Sequence, residues 1–259
     1  MELNKVYCMD NLELLKQLPD ECIDLIYCDI LYNTGKKFKD YNDNLGTPQE
    51  AIKWYEPRLI EMKRVLKNTG LILLQMDYRL HPYIRIKLDN LYGQDRLVND
   101  LIRQYSGGGV PKNKFAPKHD NIVLYSKGHN YTFNTDTLRI SYSKSTQQRF
   151  EKTINNKRNG IDFGQQKLNK LGKYPESVIS MPILAPSSNE RVDYNTQKPK
   201  HLLTYFIKGL SNENDIVADF FCGSGTTLVV AKELNRNYIG CDINPKAIEI
   251  TNKRLNEIE

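Results

Sequence analysis

Asp219-Phe220-Phe221-Cys222-Gly223-Ser224-Gly225-Thr226-Thr227 is the stretch on which the reading of this 259-residue chain turns. The residues over 215–220 form a short apolar run that reads as a buried strand, and a helix follows to about residue 234. Glycines at a strand-to-helix turn let the backbone approach a ligand closely, at the positive end of the helix dipole. A G-x-G alone is weak evidence, because Gly223 and Gly225 also suit a plain tight turn. The next strand strengthens it. Tyr238-Ile239-Gly240-Cys241-Asp242 ends in a carboxylate about twenty residues on, where nucleotide folds bind ribose hydroxyls. The competing reading is that Asp242 caps the helix opened by Asn244-Pro245.

Dinucleotide binding is the obvious rival. It asks for a third glycine three residues after Gly225, where this chain has Leu228, and no phosphate-type G-K-[ST] sequence is present. The acidic Asp219 ahead of the loop suits a cationic sulfonium better than a pyrophosphate.

Toward the amino terminus, the run over 22–28 reads as another buried strand. Thr47-Pro48-Gln49-Glu50 predicts a helix start, with Thr as N-cap, Pro at the first helical position and Glu three after the cap. Trp54, Leu59, Met62 and Leu66 continue it, and Asn68-Thr69-Gly70 is expected to close it. Strands over 71–74, 97–104 and 121–125 and a helix over 82–91 follow, with Gly107-Gly108-Gly109 breaking the chain. Lys198-Pro199 is expected to open a further helix. Strands alternating with helices predict an α/β fold, Rossmann-like, with a mostly parallel sheet and helices on both faces.

Between residues 130 and 195 the periodicity fades. This stretch reads as a lobe inserted into a domain formed by 1–129 and 196–259. The net charge is +6, yet residues 139–173 alone hold nine basic side chains against Glu151 and Asp162. One segment thus carries the whole positive excess, as a polyanion-facing surface would; a solvated loop is the alternative. The mean hydropathy is −0.59, and no apolar run approaches the length of a membrane span. Cys8, Cys22, Cys28, Cys222 and Cys241 form no C-x-x-C pair, and the four histidines show no ligand spacing. With no export signal at the amino terminus, a soluble, reduced, cytoplasmic and metal-free protein is expected.

Directly after the first long strand comes Asp29-Ile30-Leu31-Tyr32-Asn33-Thr34-Gly35. A carboxylate and an aromatic at the carboxyl end of a buried strand lie where open α/β sheets bind ligands. Here the chain resembles the β-group amino-methyltransferases acting on DNA, found in bacterial restriction–modification systems and phages. Their signature D-P-P-Y precedes F-x-G-x-G in the chain, an order circularly permuted relative to most methyltransferases. Asp29–Tyr32 matches the first motif as D-I-L-Y, and 219–227 matches the second. Lys118-His119-Asp120-Asn121-Ile122-Val123-Leu124-Tyr125 resembles the strand ahead of the family's target-recognition region, and Thr196-Gln197-Lys198-Pro199 its T-x-K-P element. Asp10-Asn11-Leu12-Glu13-Leu14-Leu15 resembles the element whose Asp approaches the cofactor adenine.

The resemblance implies S-adenosylmethionine as cofactor. It implies a cofactor set of Asp10, Cys28, Asp29, Lys198, Asp219, Phe220, Phe221, Cys222, Gly223, Gly225, Thr226, Asp242 and Ile243. The catalytic set is Asp29, Ile30 and Tyr32. An exocyclic amine delocalises its lone pair into the ring and is a poor nucleophile. Asp29 and the Ile30 carbonyl can accept its two N–H bonds and stabilise positive charge as nitrogen attacks the methyl group in line. A base inside a duplex is out of reach, so it must flip out and stack on Tyr32. No metal or covalent intermediate is required. Ile30 and Leu31 stand where the family has prolines, so the rigidity that prolines give the loop is lost while the chemical groups remain.

The expected substrate is adenine N6 in duplex DNA, since Asp in this motif goes mainly with adenine and Ser mainly with cytosine N4. Cytosine N4 is the near rival; a catalytically impaired DNA-binding homologue is a second, favoured by the missing prolines and opposed by Asp29 and Tyr32. RNA or a small molecule ranks lower, because the basic lobe exceeds what a metabolite needs. Lys112, Lys114, Arg139, Lys144, Arg149, Lys157, Arg158 and Lys167 are the candidate DNA contacts, with Asn155, Asn156, Gln165 and Gln166 as candidate base readers. A homodimer and a cognate restriction endonuclease are partners that the family suggests.

Overall fold

Thr47 caps its helix as its context predicts. Its hydroxyl accepts from the Glu50 N–H at 3.3 Å, while the Glu50 carboxylate accepts from the Thr47 N–H at 2.7 Å. This helix belongs to a computed structural model that describes residues 2–36, 42–107, 109–151, 155–165 and 167–258, with backbone alone at 151, 155–158 and 162–165. The elements run β1 (Lys5–Cys8), α1 (Asn11–Gln17), β2 (Ile23–Asp29), α2 (Pro48–Val65), β3 (Leu66–Met76) and α3 (His81–Tyr92). Then come β4 (Leu97–Gln104), β5 (His119–Ser126), α4 (Lys144–Glu151), β6 (Asn155–Arg158), β7 (Ile161–Gln165) and β8 (Val178–Ser180). The chain closes with α5 (Lys200–Leu210), β9 (Ile216–Asp219), α6 (Thr226–Glu233), β10 (Asn237–Asp242) and α7 (Pro245–Asn256).

Eight strands form one sheet in the order β1-β10-β9-β2-β3-β5-β4-β8. Every pairing is parallel except the two that β5 makes, with β3 and β4. The period-2 alternation of β2 sorts its side chains cleanly. Ile26 and Cys28 join the core built with α1, α2 and α3, whereas Leu25 and Tyr27 join the core built with α5, α6 and α7. Both faces are therefore covered, which is why these strands read as continuous apolar runs. The expected α/β fold with helices on both sides is the one observed.

Two expectations are revised. Asn68-Thr69-Gly70 does not end α2; the helix stops at Val65, and the Leu66 N–H donates to the Met62 carbonyl. Leu66 is fully buried and already pairs with Ile23, after which the register jumps to Leu25 opposite Leu71. Burial of Leu66 thus draws the chain into the sheet before the polar triplet is reached. The stretch 130–195 also holds more order than its faded periodicity suggests. It contributes β8 to the sheet edge beside β4, while β6 and β7 pair as a separate hairpin. Among the described residues no helix is long and apolar enough to cross a membrane, and no group of three or more His, Cys, Asp or Glu could hold a metal ion.

Strands β2 and β9 are neighbours despite lying far apart in sequence: the Ile216 N–H donates to Asp24 Oδ2 at 2.9 Å, across 192 residues. The helix that follows β2 packs on one face and the helix that follows β9 packs on the other. A crevice opens between the carboxyl ends of two such strands, the usual ligand position in α/β sheets.

Candidate active site

The crevice holds a cavity of about 530 Å³, within the size range of small-molecule sites. Asp29, Ile30 and Tyr32 line it from the end of β2; Asp219, Phe221, Cys222, Gly223 and Thr226 line it from the loop after β9. Asp242 enters from β10 and Lys198 from the turn before α5. Ten of the residues expected from sequence thus converge on one space.

The glycine loop is fixed from several sides. Gly223 and Gly225 have φ of +49° and +73°, and Gly225 is the N-cap of α6. A Cβ on Gly225 would sit 2.3 Å from Thr251 Cγ2, so the close approach of α7 as well as the backbone angle calls for glycine. Buried Arg254 donates to the Ser224 carbonyl at 2.6 Å, and the Thr251 hydroxyl donates to the Gly223 carbonyl at 3.0 Å. Asp242 Oδ2 accepts from the Gly223 N–H and Oδ1 from the Asn244 N–H, each at 2.9 Å. The cap of α7 itself is Asn244, which accepts from the Lys246 N–H. Asp242 is therefore a loop fastener whose carboxylate also borders the cavity.

Asp219 is almost wholly buried and accepts from the Thr227 hydroxyl at 2.5 Å and the Phe221 N–H at 3.0 Å. Burial pushes its carboxyl up to about 7, against the pull of those two hydrogen bonds. A carboxylate so reluctant to ionise has a reason to welcome a cation beside it.

At the other end of the cavity, Asp29 is held at both oxygens. The Tyr32 hydroxyl donates to Oδ1 at 2.9 Å, and Lys198 Nζ pairs with Oδ2. Burial pushes the Asp29 carboxyl above the usual range, with Lys198 pulling the other way. Behind Tyr32 lies a polar chain through the sheet. Gln75 Nε2 donates to Tyr32 Oη at 3.3 Å and to Asp120 Oδ2 at 2.7 Å, and Gln75 Oε1 accepts from the Tyr27 hydroxyl at 2.6 Å. Asp120 in turn pairs with Arg103, 3.1 Å away, and both are buried. Burial drives the Tyr27 and Tyr32 phenols well above their ordinary value, so each stays a donor.

The D-I-L-Y loop has its own restraints. The Ile30 N–H donates to the Gln75 carbonyl at 3.1 Å, a bond that a proline at 30 has no hydrogen to make. The Tyr55 hydroxyl donates to the Leu31 carbonyl at 2.8 Å. Buried Asp43 accepts from the Asn33 N–H at 3.1 Å and from the Thr34 N–H at 2.8 Å. Rigidity that the family takes from ring closure comes here from hydrogen bonds.

The comparisons with known proteins bear on the family and the fold. A family model described as DNA methylase, for the N6 and N4 enzymes, matches residues 23–253. The chain belongs to the N6/N4 DNA methylase family. It is 33% identical to the type II methyltransferase M.HpaI of Haemophilus parainfluenzae, over 97% of this chain and 74% of that one. It is 30% identical to the DNA adenine methyltransferase YhdJ of Escherichia coli, over 95% of this chain and 80% of the relative. Among solved structures, the PvuII cytosine-N4 DNA methyltransferase superposes with a TM-score of 0.72 at 18% identity, covering all of this chain and 89% of its own. The M1.HpyAVI–SAM complex superposes with a TM-score of 0.62 at 22% identity, covering 97% and 98%.

Some expected residues of this methylase lie elsewhere. Asp10 caps α1 through the Leu12 N–H and pairs with buried Arg58, 2.7 Å away, outside the cavity lining. Cys28 and Phe220 are buried behind the wall, where the Phe220 N–H meets Cys28 Sγ at 3.4 Å. Ile243 is 70% exposed. Of the candidate DNA contacts, Lys114 lines the cavity mouth, and Lys112, Lys144, Arg149 and Lys167 are exposed. Arg139 is bound within the lobe by Asp136 and the Gly172 carbonyl, over the Tyr174 ring. Lys157 and Arg158 lie on β6 and Asn155, Asn156 and Gln165 on β6 and β7, with side chains outside the described part, as is Gln166 altogether. Sequence reasoning missed Gln75, Arg103 and Asp43, and treated Asp120 only as part of a strand motif.

Proposed function

We propose that this methylase transfers a methyl group from S-adenosylmethionine to the N6 amine of adenine in duplex DNA. The observation that carries the reading is the end of β2, where Asp29 and the backbone of Ile30 border the same cavity as Asp219 and Asp242. The cavity fits the methyl donor by size and donor set: one buried carboxylate for a positive charge, one for hydroxyls, and a glycine loop that a side chain would fill. Asp219 faces the charge, Asp242 takes ribose hydroxyls and Lys198 complements the donor's carboxylate. When bound, that cofactor supplies a methyl group on positively charged sulfur.

Asp29 and the Ile30 carbonyl accept the two N–H bonds of the target amine, and the Tyr32 ring stacks on the base, worth about 1–3 kcal/mol. Among the described residues no hydrogen bond ends on the Ile30 carbonyl, which leaves it free for the amine. The raised Asp29 carboxyl is a better proton acceptor than a surface carboxylate, which suits an amine that must shed a proton after attack. Adenine is preferred over cytosine because the motif carries Asp, and because YhdJ is named for adenine. The PvuII likeness is one of fold.

The test is incubation with labelled S-adenosylmethionine and unmethylated duplex DNA, then nucleoside analysis of the digest. N6-methyladenine is expected; N4-methylcytosine would overturn the base assignment, and cofactor binding without product on genomic DNA would overturn the activity. Asp29→Ala is expected to abolish transfer while leaving cofactor affinity within about threefold, because the carboxylate acts on the amine.

A further inference from the structure

The connection from Tyr105 to Lys118, between β4 and β5, ends at the cavity mouth. Tyr105, Lys114, Pro117 and His119 all contribute to the lining. The loop is closed at its base, where the Tyr105 N–H donates to the Lys118 carbonyl at 3.0 Å and Lys118 Nζ reaches the Gly109 carbonyl at 3.0 Å. At its tip Phe115 is 100% exposed and Val110 is 78% exposed. Phe115 follows Lys114 directly, and residues 105–118 include three lysines and no carboxylate. A bare aromatic ring on a basic, anchored loop, next to a lysine that lines the cavity, is poorly explained by folding: it buries nothing in this chain.

We propose that Phe115 is a positioning residue that enters the base stack of duplex DNA at the gap left by the flipped target base, with Lys112 and Lys114 on the flanking phosphates. The inference rests on the reading that this chain acts on duplex DNA. Its physical basis is general. Extruding a base forfeits its stacking and pairing, and an apolar wedge that fills the gap recovers part of that loss while blocking the base's return. Exposed lysines beside the ring supply attraction to the backbone without sequence preference.

The experiment compares the full chain with Phe115→Ala and Phe115→Trp on two DNAs. One is an unmethylated duplex carrying the target site; the other is the same duplex with an abasic residue opposite the target, so that no pairing is left to break. Phe115→Ala is expected to lose about 10- to 100-fold in kcat/KM on the intact duplex and to recover to within about threefold on the abasic one. Phe115→Trp is expected to stay near the parent on both. Equal loss on both DNAs, or no loss on either, overturns the proposal. So does a changed oligomeric state in Phe115→Ala with unchanged methylation, which would assign the ring to a protein contact.

A second readout needs no turnover. The emission of Phe115→Trp, over the constant background of Trp54, is expected to be quenched by intact duplex DNA; unchanged emission on a bound complex overturns the wedge. Quenching without methyl transfer by the parent chain would instead support the wedge and refute the proposed activity.

Discussion

Ile30→Pro restores the residue that the family's motif carries, and it is expected to weaken this protein rather than improve it. Ile30 is buried, and its N–H donates to the Gln75 carbonyl at 3.1 Å. Proline removes the donor and leaves a buried acceptor short of its partner, which costs about 1–3 kcal/mol. Trimming the side chain forfeits about 0.8 kcal/mol for one buried methylene. The stiffer unfolded chain returns about 0.4–1 kcal/mol. The balance is a loss of about 1–3 kcal/mol, or about 2–12 °C in Tm for a chain of this length. Thermal unfolding followed by circular dichroism measures it, with Ile30→Val as the control that keeps the N–H. A proline variant as stable as the valine variant would refute the claim that this hydrogen bond stands in for the ring.

Two further outcomes follow from the cofactor end. Burial raises Asp219 to about 7, from an ordinary value of 3.8, so in the folded chain it ionises only as pH rises through neutrality. Its burial penalty on stability therefore grows from about pH 4 to pH 7 and is complete above that. A cation beside it favours the ionised form, so S-adenosylmethionine affinity is expected to rise up to about tenfold between pH 6 and pH 8. Calorimetry on Asp219→Asn should show a flat profile, and an unchanged slope would remove Asp219 from the cation's surroundings. Gly225→Ala is expected to cost about 2–4 kcal/mol, from left-handed backbone and the clash with Thr251 together. Gly160→Ala, with φ +78° but nothing within 4 Å, should cost only about 1–2 kcal/mol. Equal losses in urea unfolding would show that α7 does not press on the loop.

What the sequence made legible were the features with a local cause. Thr47 and Glu50 cap a helix within four residues of each other, and Asp29 and Asp242 end strands whose apolar runs are visible without any fold. The glycine loop announced itself by position. What stayed hidden depends on pairs brought together only by the sheet. Lys198 meets Asp29 across 169 residues, and Gln75, Asp120 and Arg103 become one network only because β3, β5 and β4 lie side by side. A lone Gln inside an apolar strand gives no hint of its partners. Asp10 shows the converse: a motif match placed it at the cofactor, whereas its nearest demands are an open helix end and the Arg58 guanidinium.

The adjacency of β2 and β9 has a consequence for how the protein comes into being. Ile26 pairs with Ala218, so the sheet's middle joins segments 192 residues apart in the chain. While the ribosome is still making the basic lobe, β2 has a vacant hydrogen-bonding edge and no β9 to fill it. Such an edge is a template for pairing with a second nascent chain. The β2 wall of the crevice is thus made long before the β9 and β10 wall that completes it.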